Sequence, residues 1–208
     1  MAQRISGYER QPNETYETPR WPVDALAEHV RLAGLSVWEP AAASGQMADA
    51  LRANGATVWE SDLVGAGDAA RMASRTDGAD FLATTRLPVS TIEAIIVNPP
   101  YGLGGRLAVQ FIQHSLAFMR QPDSRVRLLA FLLSIDFDSA SGRTDLFADC
   151  PEFAGKIVLL RRIRWFEGPS GPSTNHGWYL YRRPDVLGAV PPTLRYAPRA
   201  VESVLDTL

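Results

Sequence analysis

Apolar positions recur along this chain at two spacings, and the two alternate. In "WPVDALAEHVRLAG" (21–34), Val23, Leu26, Ala27 and Val30 fall at helical spacing and Gly34 marks the stop. "LSVWEP" (35–40) reads as a short buried strand, and "SGQMADALRANG" (44–55) as a turn and helix with Met47, Ala50 and Leu51 inward and Asn54-Gly55 as its C-cap. "ATVWESD" (56–62) is the next strand. A polar stretch then leads to "GADFL" (78–82), a third candidate strand, and "IEAIIV" (92–97) is another. Leu107, Ala108, Phe111, Ile112, Ser115, Phe118 and Met119 trace one face of a long helix. "VRLLAFLLSI" (126–135) is apolar enough to be a strand buried on both faces. Two late strands, "KIVLLRRIRWF" (156–166) and "GWYLYRR" (177–183), are joined closely enough to form an antiparallel pair at the C-terminal end of the sheet.

Strands alternating with helices point to a doubly wound α/β domain, a mostly parallel twisted sheet flanked by helices. In such sheets the ligand lies outside the carboxyl ends of the strands, beside the point where strand order reverses. The strand-end residues are therefore the ones that carry chemistry. In "VWEPAAASGQM" (37–47) an acid, Glu39, ends a strand, small residues follow, and Gly45 opens a helix. Small residues let the backbone approach a ligand, and a helix N-terminus offers free N–H groups. The single glycine does not suit a pyrophosphate cradle, which needs three spaced ones. A cofactor with an ammonium group fits better, paired to Glu39; a tight turn packed by alanines fits the same residues. Glu60 or Asp62, ending the next strand, is placed to take ribose hydroxyls or to sit in a solvated turn. Asp80 could accept from an adenine amino group with Phe81 covering the base, and Phe81 also reads as a core residue.

The run "AIIV" stops at Asn98-Pro99-Pro100-Tyr101. Pro99 confines Asn98 to extended geometry, and the two prolines fix φ and remove two donors. What remains is a rigid pair of acceptors, the Asn98 amide oxygen and the Pro99 carbonyl, beside the flat face of Tyr101. This array suits a planar –NH2 group, with two acceptors for its hydrogens and a ring stacked on its plane. A proline-rich turn is the plainer alternative.

Composition narrows the setting. The chain has 208 residues, 46% of them hydrophobic and 21% charged, which fits one domain over 1–208 with loose polar residues at 1–15. No signal-peptide pattern opens it, and its longest apolar run, "LLAFLL" (128–133), is too short to span a bilayer. Cys150 is the only cysteine, and His29, His114 and His176 are scattered, so neither a disulfide framework nor a metal site is expected. A cytoplasmic protein is expected. Net charge is −2, yet between Lys156 and Arg199 eight basic residues face only Glu167 and Asp185, which leaves +6 there. A solvated rim is the plainer reading of any single arginine there, and the clustering keeps a polyanion partner open.

Taken together, these residues resemble the S-adenosylmethionine-dependent amino-methyltransferases, most of all the N6-adenine DNA methyltransferases of phage type, which carry the cofactor motif ahead of the catalytic one. "YETP" (16–19) is similar to the segment that holds the methionine end of the cofactor there. "EPAAASG" (39–45) resembles the first cofactor motif, "VWESD" the ribose-acid motif, "ADFL" the adenine-site motif and "NPPY" (98–101) the catalytic motif. The late segment "RIRWFEGPSGPSTNHGWYLY" (162–181) is similar to the final strands of the same group. The resemblance implies a Rossmann-like methyltransferase fold with S-adenosylmethionine as cofactor. Tyr16, Thr18, Pro19, Glu39, Pro40, Ala41, Gly45, Glu60 or Asp62, Asp80, Phe81 and Asn98 would line the cofactor site. Asn98, Pro99, Pro100 and Tyr101 would be catalytic, with Trp165 or Phe166 covering the other face of the acceptor, although core packing is the plainer reading of each.

The sequence departs from the group at two points. Ala43 stands where the first motif usually has glycine, which crowds the cofactor if that backbone takes positive φ. No long insert is suited to separate target recognition. The expected reaction is in-line methyl transfer to a planar amino nitrogen, adenine N6 in DNA first, with RNA bases and protein glutamine amides as alternative acceptors. In a duplex the base would have to be flipped out. "GLGG" (102–105) is placed to form a mobile lip over the site. A cofactor-binding module without catalysis is the reading from a different class.

Overall fold

A computed structural model describes residues 16–65, 69–165, 174–184 and 191–197. The N-terminal segment 1–15 and Phe166 lie outside the described residues. In chain order the elements are α1 (Arg20–Ala27), β1 (Ser36–Glu39), α2 (Gln46–Ala53), β2 (Thr57–Asp62), β3 (Arg75–Asp77), β4 (Ala94–Val97), α3 (Arg106–Arg120), β5 (Leu128–Ser134), β6 (Phe153–Leu159), β7 (His176–Arg182) and β8 (Thr193–Ala197).

The strands form one sheet in the order β3-β2-β1-β4-β5-β7-β6-β8. Strands β1 to β5 run parallel, β7 pairs antiparallel with both β5 and β6, and β8 lies parallel to β6 at the far edge. This is the mostly parallel, Rossmann-like sheet expected, with the antiparallel pair on its C-terminal side. Strand order reverses at β1 and β4, so the carboxyl ends of those two strands open side by side.

The two-residue period of the central strands sorts the core into two layers. Val37, Val58, Ala94, Ile96, Ala130, Leu132 and Trp178 face α1 and α2. Trp38, Ile95, Val97, Leu129, Phe131, Leu133 and Tyr179 face α3. Every residue of β4 is buried, which is why its sequence is apolar without alternation. In α3, Ala108, Phe111, Ile112, Ser115, Leu116, Phe118 and Met119 form the buried stripe. The indole of Trp178 donates to the Pro22 carbonyl at 2.7 Å and ties β7 to the start of α1.

Three local expectations need correction. "GADFL" is not a strand: β3 is "RTD" (75–77), and Phe81–Ala83 is a 3-10 turn capped by Asp80, whose carboxylate accepts from Leu82 N at 2.9 Å. The edge strand hid because its register with Glu60 to Asp62 is set by an ion pair rather than by apolar alternation. Strand β6 begins at Phe153 and ends at Leu159, leaving 160–165 as coil. Strand β8 was not anticipated, since "TLRYA" is an edge strand with prolines on either side and mostly exposed side chains.

Candidate active site

Asn98 follows the last residue of β4 and is held extended by Pro99. Its amide nitrogen donates to Thr18 Oγ1 at 3.1 Å, across 80 residues of sequence. Thr18 is 3% exposed and sits just ahead of α1, so the helix start fixes the amide plane. With the nitrogen committed, the amide oxygen is left as an acceptor. Pro99 is buried; Pro100 and Tyr101 are half-buried. The Tyr101 hydroxyl accepts from Ser134 N at 2.6 Å, and its ring meets Phe137 edge-on at 6.0 Å. Burial raises the hydroxyl above its ordinary titration range, so Tyr101 stays neutral.

Glu39 ends β1 beside this array. It is 2% exposed, and its Oε2 has no hydrogen-bond partner among the described residues. Burial, then the Glu60 carboxylate, raise its pKa well above 4.5. An orphaned buried carboxylate is costly, and a bound cation is the natural relief. From Glu39 the chain passes through buried Pro40 and half-buried Ala41 into a tight loop. Ala43 takes φ 48°, the left-handed region, where its Cβ costs roughly 1–2 kcal/mol. The loop is pinned at both peptide edges: Ala43 N donates to Asp62 Oδ2 at 2.7 Å, and Ala43 O accepts from Arg75 Nη2 at 2.8 Å. Ser44 N donates to Glu17 Oε1 at 3.1 Å. Only glycine suits position 45: its φ is 94°, and a Cβ there would run into the Arg71 guanidinium and, at 2.8 Å, Glu60 Oε2.

Glu60 and Asp62, two apart, share a strand face and differ in depth. Glu60 is wholly buried and ion-paired to Arg52 at 2.7 Å, Arg71 at 3.0 Å and Arg75 at 2.9 Å. Asp62 lies at the strand end, half-buried, accepting from the backbone amides of Ala43 and Val64. Asp80 is exposed. Phe81 is 2% exposed, its ring packed on Trp38, Phe111, His114 and Phe118, so the ring has no free face for a base. Tyr16 lies 5.8 Å from Trp165, and Trp165 lies 5.2 Å from His176. Burial lowers the His176 pKa to about 4, so the ring is neutral at neutral pH.

The sequence did not single out Glu17, Arg52, Arg71, Arg75, Phe137 or Arg143. Each acts through contacts that depend on how the turns and strands fold together, and no motif or apolar spacing marks it. Leu63 and Val64, directly after Asp62, are 60% and 46% exposed; two apolar side chains held in solvent at a strand end were the available signal. Among the described residues no group of three His, Cys, Asp or Glu side chains could hold a metal ion, and no helix is long and apolar enough to cross a membrane.

No protein-family model and no curated protein matches this chain. Solved structures do. A provisionally assigned RNA methyltransferase from Pyrococcus horikoshii superposes with a TM-score of 0.60 at 14% identity, covering 86% of this chain and 93% of its own. The modification subunit of a provisionally assigned type I restriction enzyme from Vibrio vulnificus YJ016 gives 0.56 at 14% identity, covering 80% of this chain. A provisionally assigned class I S-adenosylmethionine-dependent methyltransferase from Listeria monocytogenes gives 0.55 at 14% identity, covering 85%. The matched regions are 44% of the Vibrio chain and 61% of the Listeria chain. The fold is thus the one S-adenosylmethionine-dependent methyltransferases use.

Proposed function

We propose that this chain is an S-adenosylmethionine-dependent N-methyltransferase acting on a planar exocyclic amino nitrogen, adenine N6 in DNA being the acceptor that fits best. The observation that carries the reading is Asn98. Its amide is clamped by Thr18 at 3.1 Å with the oxygen left to accept, in a chain segment made rigid by Pro99 and Pro100.

The residues present fit the cofactor. The unpartnered Glu39 carboxylate takes its ammonium group, with Tyr16, Thr18, Pro19, Pro40, Ala41 and Gly45 around it. Ribose hydroxyls go to Asp62, because Glu60 is spent on three arginines. Asp80 takes the adenine amino group, and Leu63 and Val64 supply the apolar cover that Phe81 cannot. When bound, S-adenosylmethionine supplies an electrophilic methyl group on a sulfonium.

The chain's own part is positioning and charge stabilisation. Asn98 and the Pro99 carbonyl hold the two amino hydrogens, and the Tyr101 ring stacks on the plane, which aims the nitrogen lone pair outward. As the nitrogen took the methyl carbon, the carbon–sulfur bond of the sulfonium would break to leave a neutral thioether, and the nitrogen would become tetrahedral and positive. The carbonyl dipoles and the aromatic face stabilise that charge, and the extra proton leaves to water. Trp165 is the described candidate for the acceptor's other face; Phe166 lies outside the described residues.

The test is incubation with labelled S-adenosylmethionine and unmethylated DNA, RNA or cell extract, then digestion and mass spectrometry of the product. Labelled N6-methyladenine from DNA is expected. Label on RNA or on glutamine would move the acceptor, and cofactor binding with no transfer to any of them would sink the enzymatic reading. Asn98→Ala should retain cofactor binding and lose transfer by about 100-fold or more.

A further inference from the structure

We infer that Arg143 is a positioning residue that latches the 102–105 lip to the loop after β5 and, through Phe137, sets the ring of Tyr101. Its guanidinium forks between two carbonyls: Nη1 donates to Phe137 O at 2.6 Å and Nη2 to Gly104 O at 3.0 Å. A planar fork holds two acceptors at once in a way an ammonium cannot. The same guanidinium lies over the Phe137 ring, 3.7 Å from its centroid. Phe137 is 2% exposed and meets the Tyr101 ring edge-on, so the cation, Phe137 and Tyr101 form one stack.

The glycines of the lip follow from this latch. Gly105 is buried at φ 81°, and a Cβ there would sit 2.6 Å from Arg143 Nη2 and 3.2 Å from Phe137 Cε2. Glycine at 105 is the seat of the guanidinium. Gly104 has φ 66° and open space, with nothing within 4 Å of the place a Cβ would take, and Leu103 is 74% exposed. The tip is therefore held by backbone contacts, and Arg143 reaches it from the turn that follows β5. Arg143 itself leaves helical geometry (φ −126°, ψ 17°) and breaks its 3-10 turn in two. Through one side chain, access past the lip and the orientation of the stacking ring are coupled.

This inference rests on the methyltransferase reading for the role of Tyr101, but the latch has a separate readout. Amide hydrogen exchange over 103–107, cofactor affinity and steady-state transfer are measured on the full chain for Arg143→Met and Arg143→Lys. Arg143→Met should speed exchange over 103–107 by about tenfold. It should lower kcat by about tenfold, with cofactor affinity and acceptor KM little changed. Arg143→Lys, which keeps the charge and one carbonyl bond, should recover part of both. Unchanged exchange would overturn the latch. Equal losses of cofactor affinity and transfer would overturn the positioning role, marking a general structural defect. A wild-type chain that methylates nothing would overturn the role assigned to Tyr101, while the exchange measurement still decides the latch.

Discussion

Glu39 carries a buried carboxylate whose Oε2 has no hydrogen-bond partner among the described residues, with burial and the nearby Glu60 charge both holding it toward the protonated form. An ammonium group placed there would favour the ionised form. The sign is then fixed. The apo pKa lies well above 4.5 and cation binding lowers it, so binding releases a proton at pH values between the bound and the apo pKa. Cofactor affinity should rise with pH until that apo value is passed. Calorimetry in two buffers of different ionisation enthalpy reads the proton directly, and Glu39→Gln should abolish it. The acid was legible in the sequence because it ends an apolar strand ahead of small residues. Its burial was not, since that depends on Glu60 and on packing from elements that are distant in sequence. Asn98 was legible for a stronger reason: two prolines restrict its backbone locally, and no tertiary contact is needed to see it.

At the scale of the element, the loop after β1 depends on β3. Arg75 is 4% exposed and bonds Glu60, Asp77 and the carbonyl of Ala43, so an edge strand of three residues holds the loop after β1, the proposed cofactor loop, in its left-handed turn. Arg75→Met should destabilise the fold by about 1.5–3 kcal/mol, because it strips one of three arginine partners from the fully buried Glu60 and leaves Arg52 and Arg71 in place. It should also weaken cofactor binding in the fraction that remains folded. Chemical denaturation and calorimetry check the two effects, and Glu60→Gln combined with Arg75→Met should cost less than the sum of the single changes. Hydrophobic periodicity located β1, β2, β4, β5, β7 and the helices because each packs an apolar face. It missed β3 and β8, one at each edge of the sheet, because an edge strand buries little and its pattern is polar.

The whole molecule redistributes charge that the sequence presents as one block. Arg161, Arg162 and Arg164 are exposed just past the carboxyl end of β6, at the same end of the sheet as Ser134 and His176. Arg182, by contrast, pairs with Leu128 at the opposite end of β5 and β7. Next to it, Arg183 donates to Ser124 O at 2.6 Å, and Arg195 donates to His29 O at 3.2 Å. The fold therefore splits the basic stretch and puts three of its arginines at the carboxyl end of β5, the end of the sheet that carries the proposed site. Replacing Arg161, Arg162 and Arg164 by alanine should weaken polynucleotide binding. It should flatten the slope of log affinity against log salt by about 0.7–0.9 for each phosphate that is no longer neutralised. Replacing Arg182 and Arg183 should leave that slope unchanged, and a salt-independent affinity in the wild type would remove the basic rim from the interface.

By itself the sequence determined the alternation of strands and helices, the strand ends where chemistry would gather, and the rigid Asn98-Pro99-Pro100-Tyr101 segment. Each of these rests on local periodicity or on backbone restriction within a few residues. Only the tertiary structure decided that Phe81 belongs to the core, that Glu60 is consumed by arginines while Asp62 stays half-buried at the strand end, and that Arg143 reaches Gly104. Which side chain faces a site depends on what else competes for it, and those competitors lie far away along the chain.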